Sequence, residues 1–367
     1  MRIIHIFPVV KFGGAPIVVL NLIKADQENT HIVISRKDDE VLSKEFEIHS
    51  DKFYDVNTLD VSVISMWKII KVFNFEKPDI IHAHGKGGAL YALIPSLFLF
   101  KPAKIIYTFH GFNNRFNGLK SLTYLSFEKL LAFFVDRYVA VSNTEKNKVL
   151  NTGIFDENKV NVIGNGISIE KKEFNKEGRM LLSNYSYNIV TLSRISCQKD
   201  LKTMLLAFNE LLKISDNKNI GLHIIGGHIK SDKIYAHKVF ALCKDLELEK
   251  NVIFWNDLAF ASSYLHHFNL YWSTALWEGL PTAVIESMMQ KILVVGTDVV
   301  GNVDLIKTDT GIITPIEDYK KIADILHTTI NTNNENLIDT AYKFINKNFS
   351  VGRYKDKILS LYHEVSQ

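Results

Sequence analysis

Short apolar runs recur along the chain, with longer stretches of helical period between them. Residues 2–6, 31–35, 79–83, 104–109, 137–141 and 160–163 are rich in Ile, Val or aromatic side chains and show little polar alternation. Strands buried on both faces of a parallel sheet have that composition. The intervening residues 15–25, 65–75, 88–99, 119–134 and 143–151 place apolar side chains at helical spacing. Strand–helix alternation of this kind predicts right-handed βαβ crossovers and a doubly wound sheet.

The pattern fades over 170–187, which is polar and aperiodic, and then restarts. Residues 188–192, 220–225, 252–254, 270–272 and 292–295 read as strands; 201–213, 233–246, 281–289 and 319–329 read as helices. The predicted layout is an N-terminal Rossmann-like domain over 1–172, a linker over 173–187 and a second Rossmann-like domain over 188–349. A terminal helix over 350–367 is free in this reading to pack back on the first domain. At 367 residues the chain is long enough for two cores. Open α/β sheets bind ligands at the carboxyl ends of their strands, so polar residues there are the ones to inspect.

Composition changes this picture little. Apolar residues make up 47% and charged residues 23%, as in ordinary globular proteins. The N-terminal run reads as a buried strand rather than a signal peptide. The longest apolar stretch, 89–100, is well short of the ~20 residues a membrane helix needs. A cytoplasmic protein is expected, with Cys197 and Cys243 as free thiols. Net charge is +3, and its one concentration lies in 101–137, where six basic residues face two acidic ones. That footprint is too small for nucleic acid.

Polar groups do cluster at predicted strand ends. Gly13-Gly14 follows the first strand and opens a helix, where bare backbone N–H groups and the helix dipole favour an anion. The spacing is neither a dinucleotide fingerprint nor a P-loop. His82 and His84 share one strand face but show no third ligand nearby, so a metal pair is not expected. His110, in Thr-Phe-His-Gly, can donate a hydrogen bond to a substrate oxygen. Arg194 and Lys199 flank a strand-to-helix turn, a bidentate fork plus a point charge suited to a diphosphate. In Glu278-Gly279-Leu280-Pro281-Thr282-Ala283-Val-Ile-Glu286, the proline begins a helix whose first N–H groups, on Thr282 and Ala283, face the strand ends. Glu286 then lies within a mostly apolar helix, costly without polar partners.

In order and spacing, these motifs resemble the retaining glycosyltransferase family 4, across nearly the whole chain. The match rests on Gly13-Gly14, Asp79-Ile-Ile-His-Ala-His-Gly, Thr108-Phe-His-Gly, Asn165-Gly-Ile, the Arg194/Lys199 pair and Glu278-x7-Glu286. The resemblance implies a GT-B fold, two Rossmann-like α/β domains facing a cleft. It also implies transfer of a hexose-type sugar with retention, from a nucleotide-diphosphate sugar with UDP as the expected nucleotide. No metal or other cofactor is expected. The implied roles are diphosphate binding for Arg194 and Lys199, sugar contact for Glu278 and ribose contact for Glu286. Gly13, Gly14, Gly279, Leu280, Thr282 and Ala283 line the donor, and His110 lies beside the transferred sugar. Glu278, His110, Arg194 and Lys199 form the implied catalytic set. The chain departs from the family pattern at Cys197-Gln198, where Pro-Glu is usual, at Trp255-Asn256-Asp257, which lacks a usual glycine, and at Trp272-Ser273, where Pro-Ser is usual.

The implied acceptor is a glycan or a lipid-pyrophosphate-linked saccharide, in bacterial surface polysaccharide synthesis. Residues 101–138 combine the basic cluster with nine aromatics, which suggests peripheral contact with an anionic membrane. A non-hydrolysing sugar-nucleotide epimerase and a catalytically silent scaffold of the same fold are the rival readings.

Overall fold

The computed structural model describes residues 1–60, 62–98, 103–112, 126, 128–129, 132–229 and 232–367. They form two compact units. One comprises Met1–Ser168 with Phe349–Gln367, the other Ile169–Asn348. The predicted helix over 119–134 lies largely outside the described residues.

The first unit holds β1 (Arg2–Val10), β2 (Thr30–Lys37), β3 (Lys52–Asp55), β4 (Ile80–His84), β5 (Lys104–Thr108), β6 (Arg137–Ala140) and β7 (Val160–Val162). They form one parallel sheet in the order β3-β2-β1-β4-β5-β6-β7. The second unit holds β8 (Tyr187–Leu192), β9 (Ile220–Ile225), β10 (Val252–Asn256), β11 (Leu270–Ser273), β12 (Leu293–Thr297) and β13 (Ile312–Thr314), in the order β10-β9-β8-β11-β12-β13. In both sheets the order reverses direction beside the first strand, the switch point at which such folds place ligands.

The two faces of the first sheet differ. Ile4, Ile6, Ile32, Ile34, Ile81 and Ala83 pack with Ile69 and Phe73 of the helix Val63–Glu76 in one apolar cluster. On the opposite face the parallel register sets His5 beside Val33 and His82, and Ile3 beside His31. There Phe7 and Val33 pack on Val19, Leu20 and Ile23 of the helix Gly14–Ala25. The last helix, Val351–Ser366, belongs to this unit and buries Tyr354, Ile358, Leu361, Tyr362 and Val365. It is admitted by Gly166, where a Cβ would lie 2.3 Å from that of Tyr354.

Five elements depart from the sequence expectation. β3 and β13 are edge strands of four and three residues with only two apolar or aromatic side chains each. The helix Glu40–His49 buries only Leu42, Ser43 and Phe46 and owes its start to Asp39, whose carboxylate caps the Leu42 N–H at 2.8 Å. The helix Lys176–Ser183 lies inside the segment expected as linker, capped by Asn175 on the Gly178 N–H. The helix Glu335–Phe349 is polar on most faces and buries Ala341 and Ile345. No helix among the described residues is long and apolar enough to cross a membrane.

Candidate functional site

In the second unit, two loops at the carboxyl end of the sheet are stitched together. The turn Cys197–Lys199 follows β8, and the Thr274 hydroxyl donates to the Lys199 and Asp200 carbonyls at 2.9 and 3.0 Å. The Leu276 N–H donates to the Gln198 carbonyl at 2.8 Å, and the Gln198 amide donates to the Trp277 carbonyl at 3.0 Å. These bonds bring Lys199 to Glu278, with Nζ 2.5 Å from Oε1. Both side chains are mostly buried, which strengthens the attraction and costs hydration. Arg194 is exposed, and its guanidinium pairs with no described residue.

Glu278 is backed by a residue the sequence reading passed over. Gly301 has φ 88°, and a Cβ there would lie 2.4 Å from the Gly279 carbonyl oxygen. Only glycine satisfies both constraints. The sequence signal was a Gly-Asn pair shortly after a buried strand. Gly279 and Leu280 lead from Glu278 to Pro281, the N-cap of the helix Thr282–Met289. The Thr282 and Ala283 N–H groups precede that helix's first hydrogen bond and remain available. Glu286 is buried one turn on, and burial pushes its carboxyl up to about 7 against the opposing pull of a hydrogen bond to Ser262.

In the first unit, Gly13 caps the helix Gly14–Ala25 with φ 169°, an extended conformation open to any residue, and its Cβ position meets nothing closer than 3.8 Å. Neither glycine of the pair adopts a left-handed φ; what remains of the sequence expectation is a helix start whose first two residues carry no side chain.

His82 and His84, at the end of β4, are joined by a third histidine that sequence spacing did not reveal. His5, His82 and His84 bring ring nitrogens within 4.8 Å of one another. Every one of those nitrogens already has a partner. His82 bonds the Tyr362 hydroxyl at 2.6 Å and the Thr108 hydroxyl at 2.7 Å, His84 bonds His5 and His110, and His5 bonds His31 as well. A metal would have to displace this network. Burial lowers all three: His82 to about 3, the other two in the same direction.

His110 follows β5 with φ 52°, and Gly111 has φ 106°. This turn is held by Glu145, another residue not anticipated. Its buried carboxylate accepts the Gly111 and Phe112 N–H groups, each at 2.6 Å, and the Val141 N–H at 2.7 Å. Its signal was the capping pattern Ser142-x-x-Glu145, with the Ser142 hydroxyl on the Glu145 N–H. Burial lowers His110 to about 4, so its imidazole is neutral.

Residues 12–171 match the profile of Glycosyltransferase Family 4, and residues 176–344 match that of Glycosyl transferases group 1. The chain belongs to the family 4 glycosyltransferases. Its relatives include the capsular polysaccharide biosynthesis glycosyltransferase CapM of Staphylococcus aureus, 25% identical over 82% of this chain and 80% of that one. Another is the Escherichia coli UDP-Gal:alpha-D-GlcNAc-diphosphoundecaprenol alpha-1,3-galactosyltransferase, 26% identical over 82% of this chain and 78% of that one. Among solved structures, Anabaena HepE in complex with UDP-glucose superposes with a TM-score of 0.85 over 99% of this chain and 100% of that one, at 17% identity.

Within family 4, the departures noted in the sequence now have geometry. Gln198 fixes the turn before Lys199 through the Trp277 carbonyl. At the Trp255-Asn256-Asp257 loop, the Trp255 indole donates to His223 at 3.0 Å, and the Asp257 carboxylate accepts the Gly227 N–H at 2.8 Å. The Gly227 carbonyl in turn accepts the Ile195 N–H beside Arg194. Trp272 is fully buried, and Ser273 ends β11 below the loop that carries Glu278.

Proposed function

We propose that this enzyme transfers a hexose-type sugar from a nucleotide-diphosphate sugar, with UDP as its nucleotide, to a glycan or lipid-linked acceptor. The transfer retains anomeric configuration, needs no metal and serves bacterial surface polysaccharide synthesis. The observation that carries this reading is the Lys199–Glu278 pair set beside the helix Thr282–Met289. As the C1–oxygen bond of the donor breaks, negative charge grows on the leaving diphosphate. Lys199, Arg194 and the Thr282 and Ala283 N–H groups supply fixed positive charge for it, each worth a few kcal/mol as preorganised donors typically are. The acceptor oxygen bonds to C1 on the same face, and its proton passes to the leaving diphosphate oxygen. Glu278 receives the sugar hydroxyls and Glu286 the ribose hydroxyls.

A thermal-shift screen against UDP-, GDP-, ADP- and dTDP-sugars, without metal and with Mg²⁺, tests the donor. A ligand at about 100 times its Kd adds roughly 2.7 kcal/mol. The expected result is a shift with a UDP-sugar, unchanged by chelator; no shift with any of them overturns the reading. Abolition of turnover by chelator and its restoration by Mg²⁺ or Mn²⁺ overturns metal independence. Release of free nucleotide diphosphate only when acceptor is present separates transfer from epimerisation.

The membrane contact expected at 101–138 falls partly on residues outside those described, and Tyr107, Phe109, Phe112 and Tyr138 are core. Phe133 is exposed, and the helix Val63–Glu76 presents Val63, Ile64, Trp67 and Phe75 to solvent beside Lys68 and Lys71. Apolar and aromatic side chains beside lysines suit an anionic bilayer surface. Ile64→Glu with Trp67→Glu should abolish co-sedimentation with anionic liposomes; equal binding by wild type to neutral and anionic vesicles overturns this contact.

A further inference from the structure

A row of hydrogen-bonded imidazoles crosses the first sheet over four neighbouring strands. Asp26 Oδ2 lies 3.0 Å from His31 Nε2, at the start of β2. His31 Nδ1 lies 3.0 Å from His5 Nε2 on β1. His5 Nδ1 lies 3.2 Å from His84 Nε2 at the end of β4. His84 Nδ1 lies 3.1 Å from His110 Nε2, just beyond β5. The row thus climbs from within the sheet to its carboxyl edge, where the chemistry of such folds takes place.

A neutral imidazole has one donor nitrogen and one acceptor nitrogen, so a row of them must run in a single direction. Burial lowers His31, His5, His84 and His110 alike, which keeps them neutral. The direction is then set at the end that cannot donate. Burial raises the Asp26 carboxyl, but the Asn29 side chain, the Glu28 N–H and His31 outweigh it and hold it below its ordinary value. As a carboxylate, Asp26 only accepts. His31 must therefore donate from Nε2 and accept at Nδ1, and the same assignment passes to His5, His84 and His110. His110 is left with its proton on Nε2 and a bare lone pair on Nδ1, which bonds no described residue.

We infer that Asp26 is a positioning residue that acts through His31, His5 and His84 to hold His110 in one tautomer, so that its Nδ1 accepts a hydrogen bond from a substrate hydroxyl. This reverses the role expected from the sequence, in which His110 donates to an oxygen. A sugar hydroxyl fits the bare nitrogen, whereas a carbonyl or phosphate oxygen would meet lone pair with lone pair. His82 is not part of the row, since its two nitrogens are taken by Tyr362 and Thr108. The assignment rests on the glycosyl-transfer reading only in naming the hydroxyl as a sugar's.

The test is a ring-nitrogen correlation spectrum of the protein labelled with ¹⁵N-histidine, with His110 assigned by the signals lost in His110→Gln. The expected wild-type result is a proton on Nε2 of His110; a proton on Nδ1 overturns the proposal. This measurement needs no turnover, so it stands or falls apart from the reaction. Asp26→Asn, whose amide can donate, should mix the two tautomers at His110 and lower kcat roughly tenfold, the scale of losing a group that orients a working imidazole. The donor KM should stay within about twofold, as for loss of an interaction that matters in the transition state. Asp26→Glu, which restores the acceptor, should recover the single tautomer. An Asp26→Asn protein that merely melts earlier, with His110 still protonated only on Nε2 and kcat unchanged, overturns the proposal and leaves Asp26 a structural residue.

Discussion

At the carboxyl end of the first sheet, apart from the Glu145 carboxylate spent on backbone N–H groups, the buried titratable groups are imidazoles that their surroundings keep uncharged; at the same end of the second they are an ammonium and two carboxylates. Both units are built by the same strand–helix repetition, so the difference does not come from architecture. It comes from how each set satisfies its burial. The histidines trade hydrogen bonds with one another along a row and need no net charge. Lys199 and Glu278 neutralise each other across two loops, and Glu286 does so by holding a proton near neutral pH. A neutral row can orient a substrate hydroxyl at little electrostatic cost, whereas a departing diphosphate requires full positive charge.

The comparison breaks most visibly at Lys199. Lys199→Ala removes the cation and strands Glu278 in a largely buried position. Steady-state kinetics should show kcat/KM lower by about a thousandfold, the upper end for loss of one fixed donor, and the nucleotide-sugar thermal shift should vanish. Loss of less than tenfold would place the diphosphate elsewhere. Glu278→Gln should be next, with kcat down about a hundredfold and the affinity for nucleoside diphosphate alone unchanged in calorimetry.

Glu286 gives a pH signature that the histidine row lacks. Its carboxyl is raised from 4.5 to about 7 in the folded protein. The folded state therefore keeps a proton that the unfolded chain has released. The resulting stabilisation is complete below about pH 4.5 and is lost as pH rises through about 7. Denaturant titrations should show Glu286→Gln gaining stability relative to wild type between pH 5 and pH 8, by about 1–3 kcal/mol. If, as proposed, the Glu286 carboxylate accepts the ribose hydroxyls, nucleotide affinity should rise with pH over the same window in wild type and be flat in the variant.

The smallest effects sharpen the contrast between the two glycine loops. Gly301→Ala forces a Cβ against the Gly279 carbonyl at positive φ and should cost about 1–3 kcal/mol by thermal denaturation. Gly13→Ala has an extended backbone and open space, and should change stability by less than about 0.5 kcal/mol.

The same contrast governs what the sequence disclosed. The parallel sheets were legible because doubly buried strands carry unbroken Ile and Val runs. Edge strands β3 and β13 were not: the two aromatics of β3 stand between Lys52 and Asp55, and β13 offers only Ile312-Ile313 between a glycine and a threonine. The charged site was legible because Arg194, Lys199, Glu278 and Glu286 stand on local motifs whose spacing survives in one dimension. The histidine row was not, because its four histidines come from four separate segments and meet only through the strand order β2-β1-β4-β5. Asp26 looked like an ordinary residue at a helix end. Glu145 and Gly301 left faint local marks, a capping pattern and a Gly-Asn pair, whose purpose appears only when the loops they support are in place.

The last helix has a consequence for synthesis. Tyr362, which bonds His82, and Tyr354, which fills the space left by Gly166, reach the first unit only after the whole second unit has been translated. The second unit is contiguous and needs no residue beyond 348 to close. The earlier-made unit must wait, with the face of its helix Gly14–Ala25 uncovered, for residues 349–367. Birth order and sealing order are thus inverted: the unit begun first cannot be sealed until the second has been made, and a chain cut after residue 348 keeps a complete second unit tethered to an unsealed first one.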